Sequence, residues 1–316
     1  MRARRLATYF AAAAAAIVVL ISKPAHIVHL PMPVLPGCSG WLFLNDEFAA
    51  DPEGERAANF AARIEVVKDV ARFFAARGIA LVVVPVPDKA RVETKRLCGL
   101  NRPGLEDRFG RLIGQLEQAG IKVIDLLPAL QSLEGDAYYR TDTHWNQNGA
   151  KRAAETVAAR LRDWGLASKQ RAEFRVTISP PTEYVGDLLT IFDRLGLPGA
   201  PRPSAEIQAD TVIQQSAPEG VGLLDEVPPP DTVLIGTSFT SAGHFGGFLA
   251  LALGAPIDNR GVAAGRLTGA ARAYIADPVL NKAPPRVVIW EMLERYSEDR
   301  LPAAERIWAQ ELRSKR

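Results

Sequence analysis

The eight residues from Ile79 to Val86 read Ile-Ala-Leu-Val-Val-Val-Pro-Val, apolar at every position up to Pro85. A strand with one wet face alternates apolar and polar residues; an unbroken apolar run marks a strand buried on both faces, as in a parallel sheet. Just before it, Phe60, Ile64, Val67, Ala71 and Phe74 recur at helical spacing between Glu53 and Arg77, and Gly78 ends that helix. The alternation continues down the chain. Helices are expected over 105–118, 147–164, 240–253 and 266–276, and buried strands over 121–124, 232–235 and 286–290. Strands alternating with helices of about a dozen residues imply right-handed crossovers and a mainly parallel sheet covered on both faces, an α/β fold. From about 167 to 230 the rhythm lapses into Pro180-Pro181, the Pro198–Pro203 stretch and Pro228-Pro229-Pro230. An irregular insertion of that length reads as an elaboration over the active-site end of the sheet.

The first residues differ from the rest. Arg2, Arg4 and Arg5 precede an alanine-rich apolar run from Leu6 to Ile21, the charge-then-hydrophobe order of an export signal or signal anchor. Residues 1–36 are therefore expected to be a signal helix and linker, and residues 37–316 one large domain in the periplasm, anchored to the inner membrane by that helix. The remainder, with 47% apolar residues in the whole chain, is long enough to bury a substantial core. With 38 Lys and Arg against 36 Asp and Glu, there is no broad basic field of the kind that holds nucleic acid. An oxidising compartment would let the two cysteines, Cys38 and Cys98, pair.

Two segments have the composition of a reactive site. Val233-Leu234-Ile235-Gly236-Thr237-Ser238-Phe239 is an apolar strand that turns at glycine and presents a serine before a helix. Such a serine can expose its hydroxyl beside backbone N–H groups able to hold an oxyanion, although Thr237 or Ser238 would also serve simply as a helix cap. In Tyr139-Arg140-Thr141-Asp142-Thr143-His144-Trp145-Asn146 a carboxylate lies two residues from an imidazole that it can orient. Taken alone, that pair reads first as a capped turn with a structural histidine. His244 competes with His144 as a base for Ser238, but it falls inside the expected helix, pointing away from its start, and lacks an adjacent acid. His26 and His29 read as linker residues, and four histidines in all leave no convincing metal ligand set.

Taken together, Gly236-Thr237-Ser238-Phe239 and Thr141-Asp142-Thr143-His144-Trp145-Asn146 resemble the SGNH-hydrolase-like domain of the AlgJ/AlgX family of alginate O-acetylation proteins. Gly40-Trp41-Leu42-Phe43-Leu44, Val84-Pro85-Val86-Pro87-Asp88-Lys89 and Trp290-Glu291-Met292-Leu293-Glu294-Arg295-Tyr296 are similar to further stretches of that family. The resemblance implies a three-layer SGNH-hydrolase-like fold with Ser238 as nucleophile, His144 as base and Asp142 as the acid orienting it. The acid and base precede the serine, the reverse of ordinary SGNH esterases, but a triad is defined by geometry rather than chain order. The short stretch after Tyr296 leaves no room for a separate carbohydrate-binding domain, so an AlgJ-like architecture is expected.

The function implied is O-acetylation of an exopolysaccharide through an acetyl-serine, without a cofactor or metal. The acetyl group would come from a membrane-bound O-acyltransferase, and other polysaccharide secretion proteins would be partners. Thr237, Asn146 and Arg295 are candidates for oxyanion or substrate contacts, and Trp145 and Tyr184 for stacking on a sugar. The same triad with water as acceptor would be a carbohydrate esterase or deacetylase. A non-catalytic polysaccharide-binding subunit would keep the fold without turnover.

Overall fold

The computed structural model describes residues 32–48, 53–102, 106–196, 201–216 and 228–314. The expected signal helix, with His26 and His29, lies outside the described residues. Among those described, no helix is long and apolar enough to cross a membrane.

The chain opens with a short antiparallel hairpin, β1 (Val34–Pro36) and β2 (Leu42–Leu44). It continues with α1 (Glu53–Ala75), β3 (Ala80–Val86) and a single helical turn α2 (Lys89–Val92). Next come α3 (Arg108–Gln118), β4 (Lys122–Val123), α4 (Leu127–Gln131) and α5 (Gln147–Asp163). The segment expected to be irregular holds β5 (Phe174–Ile178), β6 (Thr182–Tyr184), α6 (Asp187–Leu195), β7 (Glu206–Gln208) and β8 (Thr211–Gln215). The core pattern resumes with β9 (Thr232–Ile235), α7 (Phe245–Leu253), β10 (Asp258–Asn259) and α8 (Gly269–Ala276). It ends with α9 (Val279–Lys282), β11 (Val287–Leu293) and α10 (Ala303–Ser314).

Five strands form one all-parallel sheet in the order β10-β9-β11-β3-β4. The period-two alternation of a strand divides its apolar side chains between two cores. Val82, Val84, Leu234, Val287 and Ile289 face one core with α5 and α7, whose Ala150, Val157, Leu161, Phe245 and Leu249 are buried there. Leu81, Val83, Val233, Ile235, Val288 and Trp290 face the other, with Phe60, Val67 and Phe74 of α1, Leu112 of α3 and Tyr274 of α8. The result is a three-layer α/β/α unit, so the expected sheet class is observed.

Three of the differences from the sequence expectation have a local reason. β11 runs three residues past Trp290 because Glu291, which breaks the apolar run, is itself buried and hydrogen-bonded. The helix expected from 240 starts only at Phe245, after 3₁₀ turns at Ser238–Thr240 and Ala242–His244, the second kinked by left-handed Gly243. The described part of the insertion holds two antiparallel ribbons, β5 with β8 and β6 with β7. Ile178 and Ile207 on these ribbons are largely exposed, so no burial alternation announces them in the sequence.

Cys38 and Cys98 are joined by a disulfide, with Cα atoms 5.4 Å apart, tying the β1–β2 hairpin to the segment after β3. Where β3 and β11 end, Asp88 and Glu294 are buried among the guanidinium groups of Arg91, Arg102 and Arg108. These ion pairs hold both strand ends on the side of the sheet where the polar loops gather.

Candidate active site

Ser238 is delivered by the end of β9. Ile235 pairs with Trp290, so the next residue of β11, Glu291, lies beside the Gly236–Thr237 turn. A Cβ on Gly236 would stand 2.4 Å from Glu291 Oε2, so only glycine lets the two chains approach this closely. Glu291 Oε2 accepts the Thr237 N–H (2.6 Å) and the Thr237 hydroxyl (2.9 Å). Thr237 Oγ1 in turn accepts the Phe239 N–H at 3.2 Å. Of three consecutive backbone donors the outer two are thus occupied, leaving the N–H of Ser238 itself.

The acid and base come from the loop between α4 and α5. Asn146 caps α5, its Oδ1 accepting the N–H groups of Asn148 (2.9 Å) and Gly149 (3.0 Å), and this sets the direction of the loop entering the helix. His144 Nε2 lies 2.8 Å from Ser238 Oγ, and His144 Nδ1 lies 2.6 Å from Asp142 Oδ1. With Nδ1 protonated and donating to the carboxylate, Nε2 is the acceptor of the serine proton. Asp142 Oδ1 also takes the His144 backbone N–H at 2.8 Å, while Oδ2 accepts Tyr184 Oη–H (2.8 Å) and the Asp187 N–H at the start of α6 (2.9 Å). Burial opposes charge on Asp142, but the hydrogen bond and charge of His144, with these backbone donors, hold its carboxyl at about 2. The acid is buried, whereas Ser238 and His144 are partly exposed, so the reactive end of the relay faces outward.

The insertion holds this loop from the solvent side. Asp187 accepts the Thr143 N–H (2.8 Å) and hydroxyl (2.6 Å), and Glu206 of β7 accepts the N–H groups of Arg140 (3.1 Å) and Thr141 (3.0 Å). Gly186 lies against the same loop: a Cβ there would fall 2.1 Å from Thr141 O. Among the described residues, Asp142, His144 and Asp187 also form a group whose ligand atoms lie within 4.8 Å of one another. Both imidazole nitrogens already have partners, so metal binding there would have to displace Asp142 or Ser238 from His144.

A family model described as the SGNH hydrolase-like domain of the acetyltransferase AlgX matches residues 34–294. The chain belongs to that family. It is 29% identical to the probable alginate O-acetylase AlgJ of Pseudomonas aeruginosa over 280 residues, covering 83% of this chain and 70% of that protein. Identity to the Azotobacter vinelandii protein of the same name is 30%, over 83% of this chain and 69% of the relative. The alginate biosynthesis protein AlgX of P. aeruginosa is 29% identical over 81% of this chain, which spans 54% of that protein. The solved O-acetyltransferase domain of Pseudomonas putida AlgJ superposes with a TM-score of 0.77 at 25% identity, covering 90% of this chain and 99% of that one. As a member of the AlgX family, the chain is an O-acetyltransferase with the SGNH-hydrolase-like fold.

Several auxiliary residues expected at the site have other work in this family member. Thr237 turns inward to Glu291, and Asn146 spends its amide on Asp136 O (2.7 Å) and Tyr138 O (3.2 Å) while capping α5, so neither has a donor left for an oxyanion. Trp145 is wholly buried between Phe239 and Phe245, with its indole N–H on Ala242 O at 2.9 Å, and is core rather than a sugar platform. Tyr184 stacks on Tyr139 with centroids 4.4 Å apart and gives its hydroxyl to Asp142, which makes it a holder of the acid. Arg295 is buried over the Phe239 and Tyr296 rings, in the field of Glu47 and Asp88, with no hydrogen bond to the triad. His244, which adopts a left-handed backbone, has its Nε2 2.5 Å from Asp210 Oδ1, away from Ser238.

Sequence reasoning missed Asp187, Glu206 and Glu291. The first two sit in the insertion, where no periodicity marks a role. Glu291 carried a signal, a lone carboxylate inside an otherwise apolar strand that had to be paired when buried.

Proposed function

We propose that this chain transfers acetyl groups to hydroxyls of an exopolysaccharide through an acetyl-Ser238 intermediate, in the periplasm. The observation that carries this reading is the continuous relay from Ser238 Oγ through His144 to Asp142, with links of 2.8 and 2.6 Å.

In the first half-reaction Ser238 Oγ attacks the acetyl carbonyl carbon while His144 Nε2 takes the hydroxyl proton. Asp142 stabilises the imidazolium without accepting its proton. The Ser238 N–H donates to the developing oxyanion. His144 then returns the proton to the departing donor group, leaving acetyl-serine. In the second half-reaction a sugar hydroxyl gives its proton to His144 and attacks the same carbonyl. The Ser238 alkoxide leaves and recovers the proton. The names of the relatives support alginate or a similar polymer as the acceptor. The resemblance supports a membrane-bound O-acyltransferase as the donor, and the arginine-led apolar N-terminus supports an inner-membrane anchor beside it.

The test is incubation of purified protein with an activated acetyl ester, with and without alginate oligosaccharide, read by mass spectrometry. The expected result is acetyl-Ser238 that discharges onto the oligosaccharide and is absent from Ser238→Ala. Acetate release at a rate indifferent to the acceptor would make the protein an esterase. Neither acyl-enzyme nor acetate release from wild type, with the oligosaccharide still bound, would make it a binding subunit, and full acetylation by Ser238→Ala would rule out the acetyl-Ser238 route.

A further inference from the structure

Lys89 closes the Pro-x-Pro-x-Lys stretch and opens α2, directly after β3. Its side chain is wholly buried, yet its ammonium donates to three carbonyl oxygens: Leu42 (2.6 Å), Asp142 (2.9 Å) and Arg140 (3.1 Å). An ammonium has three protons, so its hydrogen-bonding capacity is filled by backbone alone. The Trp41 and Phe43 rings lie over it with centroids 5.0 and 5.2 Å away and keep it from water. Two of the three carbonyls belong to the loop that carries the acid and base.

The charge has a direction too. Glu47, Asp142, Glu206 and Asp187 face the ammonium, and two of these, Glu206 and Asp187, are the insertion carboxylates that hold the same loop from outside. Burial draws the Lys89 pKa down to about 8, opposed by these carboxylates, so it remains charged at neutral pH. A buried lysine that merely filled space would be costly; one that neutralises this set while pinning their loop is compensated.

We propose that Lys89 is a positioning residue for acyl transfer, fixing the backbone at Arg140 and Asp142 from the core side and keeping a positive charge beside the Asp142–His144 pair. The proposal rests on the triad reading. A cation near the pair opposes the positive charge that the relay gains as Ser238 gives up its proton.

The experiment measures acetyl-Ser238 formation from p-nitrophenyl acetate across about pH 5 to 8, the range in which histidine titrates, for wild type, Lys89→Met, Lys89→Arg and Ser238→Ala. Lys89→Met is expected to be slower by about 10- to 100-fold through lost positioning, with its acid limb moved to higher pH. Lys89→Arg retains the charge and is expected to be slower with the limb in place and KM unchanged. A Lys89→Met rate within about twofold of wild type, or a slower rate with an unmoved limb, overturns the proposal. Should Lys89→Met not fold by circular dichroism, Lys89→Arg decides: the predicted fall at constant KM supports the proposal, and a wild-type rate overturns it. Ser238→Ala separates the two layers. If it acylates like wild type, the triad reading has failed; if it is inert while Lys89→Met is normal, only the role of Lys89 has.

Discussion

Tyr184 gives its hydroxyl proton to Asp142 Oδ2 at 2.8 Å, so the acid that orients His144 is itself held by a residue of the insertion. Replacing Tyr184 by Phe keeps the stack on Tyr139 and leaves the Asp187 N–H on the same oxygen. One hydrogen bond to a charged acceptor is lost, an interaction of about 1.5–3 kcal/mol. Because Asp142 keeps three other donors, the expected outcome is a fall in acylation rate of about tenfold, corresponding to ~1.4 kcal/mol of barrier, with the melting temperature lowered by a few degrees. Stopped-flow acylation and thermal unfolding of the variant check this. An unaltered rate would show that the Asp187 N–H suffices.

Asp142 itself links catalysis to acid stability. Its folded pKa of about 2 lies below the ordinary 3.8, so its ionised form is favoured in the native state. That contribution is fully present above the ordinary value and is lost as pH falls through about 2. Asp142→Asn should therefore flatten the decline in stability below about pH 4, seen by urea unfolding at stepped pH. The same variant presents an amide to His144 Nδ1 and favours the wrong tautomer, so its acylation rate should fall by about 10⁴-fold.

The parts of the molecule that were legible in advance are those governed by periodicity. Val82 and Val84 turn to one core and Leu81 and Val83 to the other, as an unbroken apolar strand requires. Ser238, His144 and Asp142 stood out because each lies where a strand or loop meets a helix, the geometry that exposes a polar group at a sheet end, but their roles came from the resemblance that the two segments carry together. The supporting residues were not. Thr237 and Asn146 have the right chemistry for an oxyanion donor, but their partners, Glu291 and the carbonyls of Asp136 and Tyr138, are brought to them only by the fold. Tyr184, Asp187 and Glu206 act from an insertion whose strands are largely exposed, and hydrogen bonds to a distant loop leave no pattern along a chain.

The Cys38–Cys98 bond spans sixty residues and joins the hairpin bearing Trp41 and Phe43 to the segment after β3. Closing a loop of this length removes unfolded-state entropy worth on the order of 4 kcal/mol in the chain-entropy model. Replacing both cysteines by serine should lower the urea midpoint by an amount equivalent to about 2–4 kcal/mol. A reducing agent should have the same effect on wild type and none on the double variant. Equal midpoints with and without reductant would show that the bond does not contribute.

Glu291 presents the opposite sign of pH dependence from Asp142. Burial raises its pKa from 4.5 to about 7, against the pull of the two Thr237 donors. A carboxyl whose folded pKa is raised contributes stability that is complete below the ordinary value and is lost as pH rises through the folded one. Wild-type stability should therefore carry a falling component between pH 4.5 and about 7. Glu291→Gln keeps an oxygen for the Thr237 N–H and hydroxyl but cannot titrate, so it should reduce that slope. A remainder is expected from Glu47, which is also raised to about 7 by burial. Because the Gly236–Thr237 turn keeps its support, acylation by Glu291→Gln should stay within a few-fold of wild type. Glu291→Ala, which removes the acceptor for both Thr237 donors, should lose more activity than Glu291→Gln at every pH. Guanidinium unfolding at stepped pH with parallel acylation assays tests both parts. An unchanged slope in Glu291→Gln would mean that Glu291 stays ionised in the folded protein, with Thr237 holding its charge despite burial.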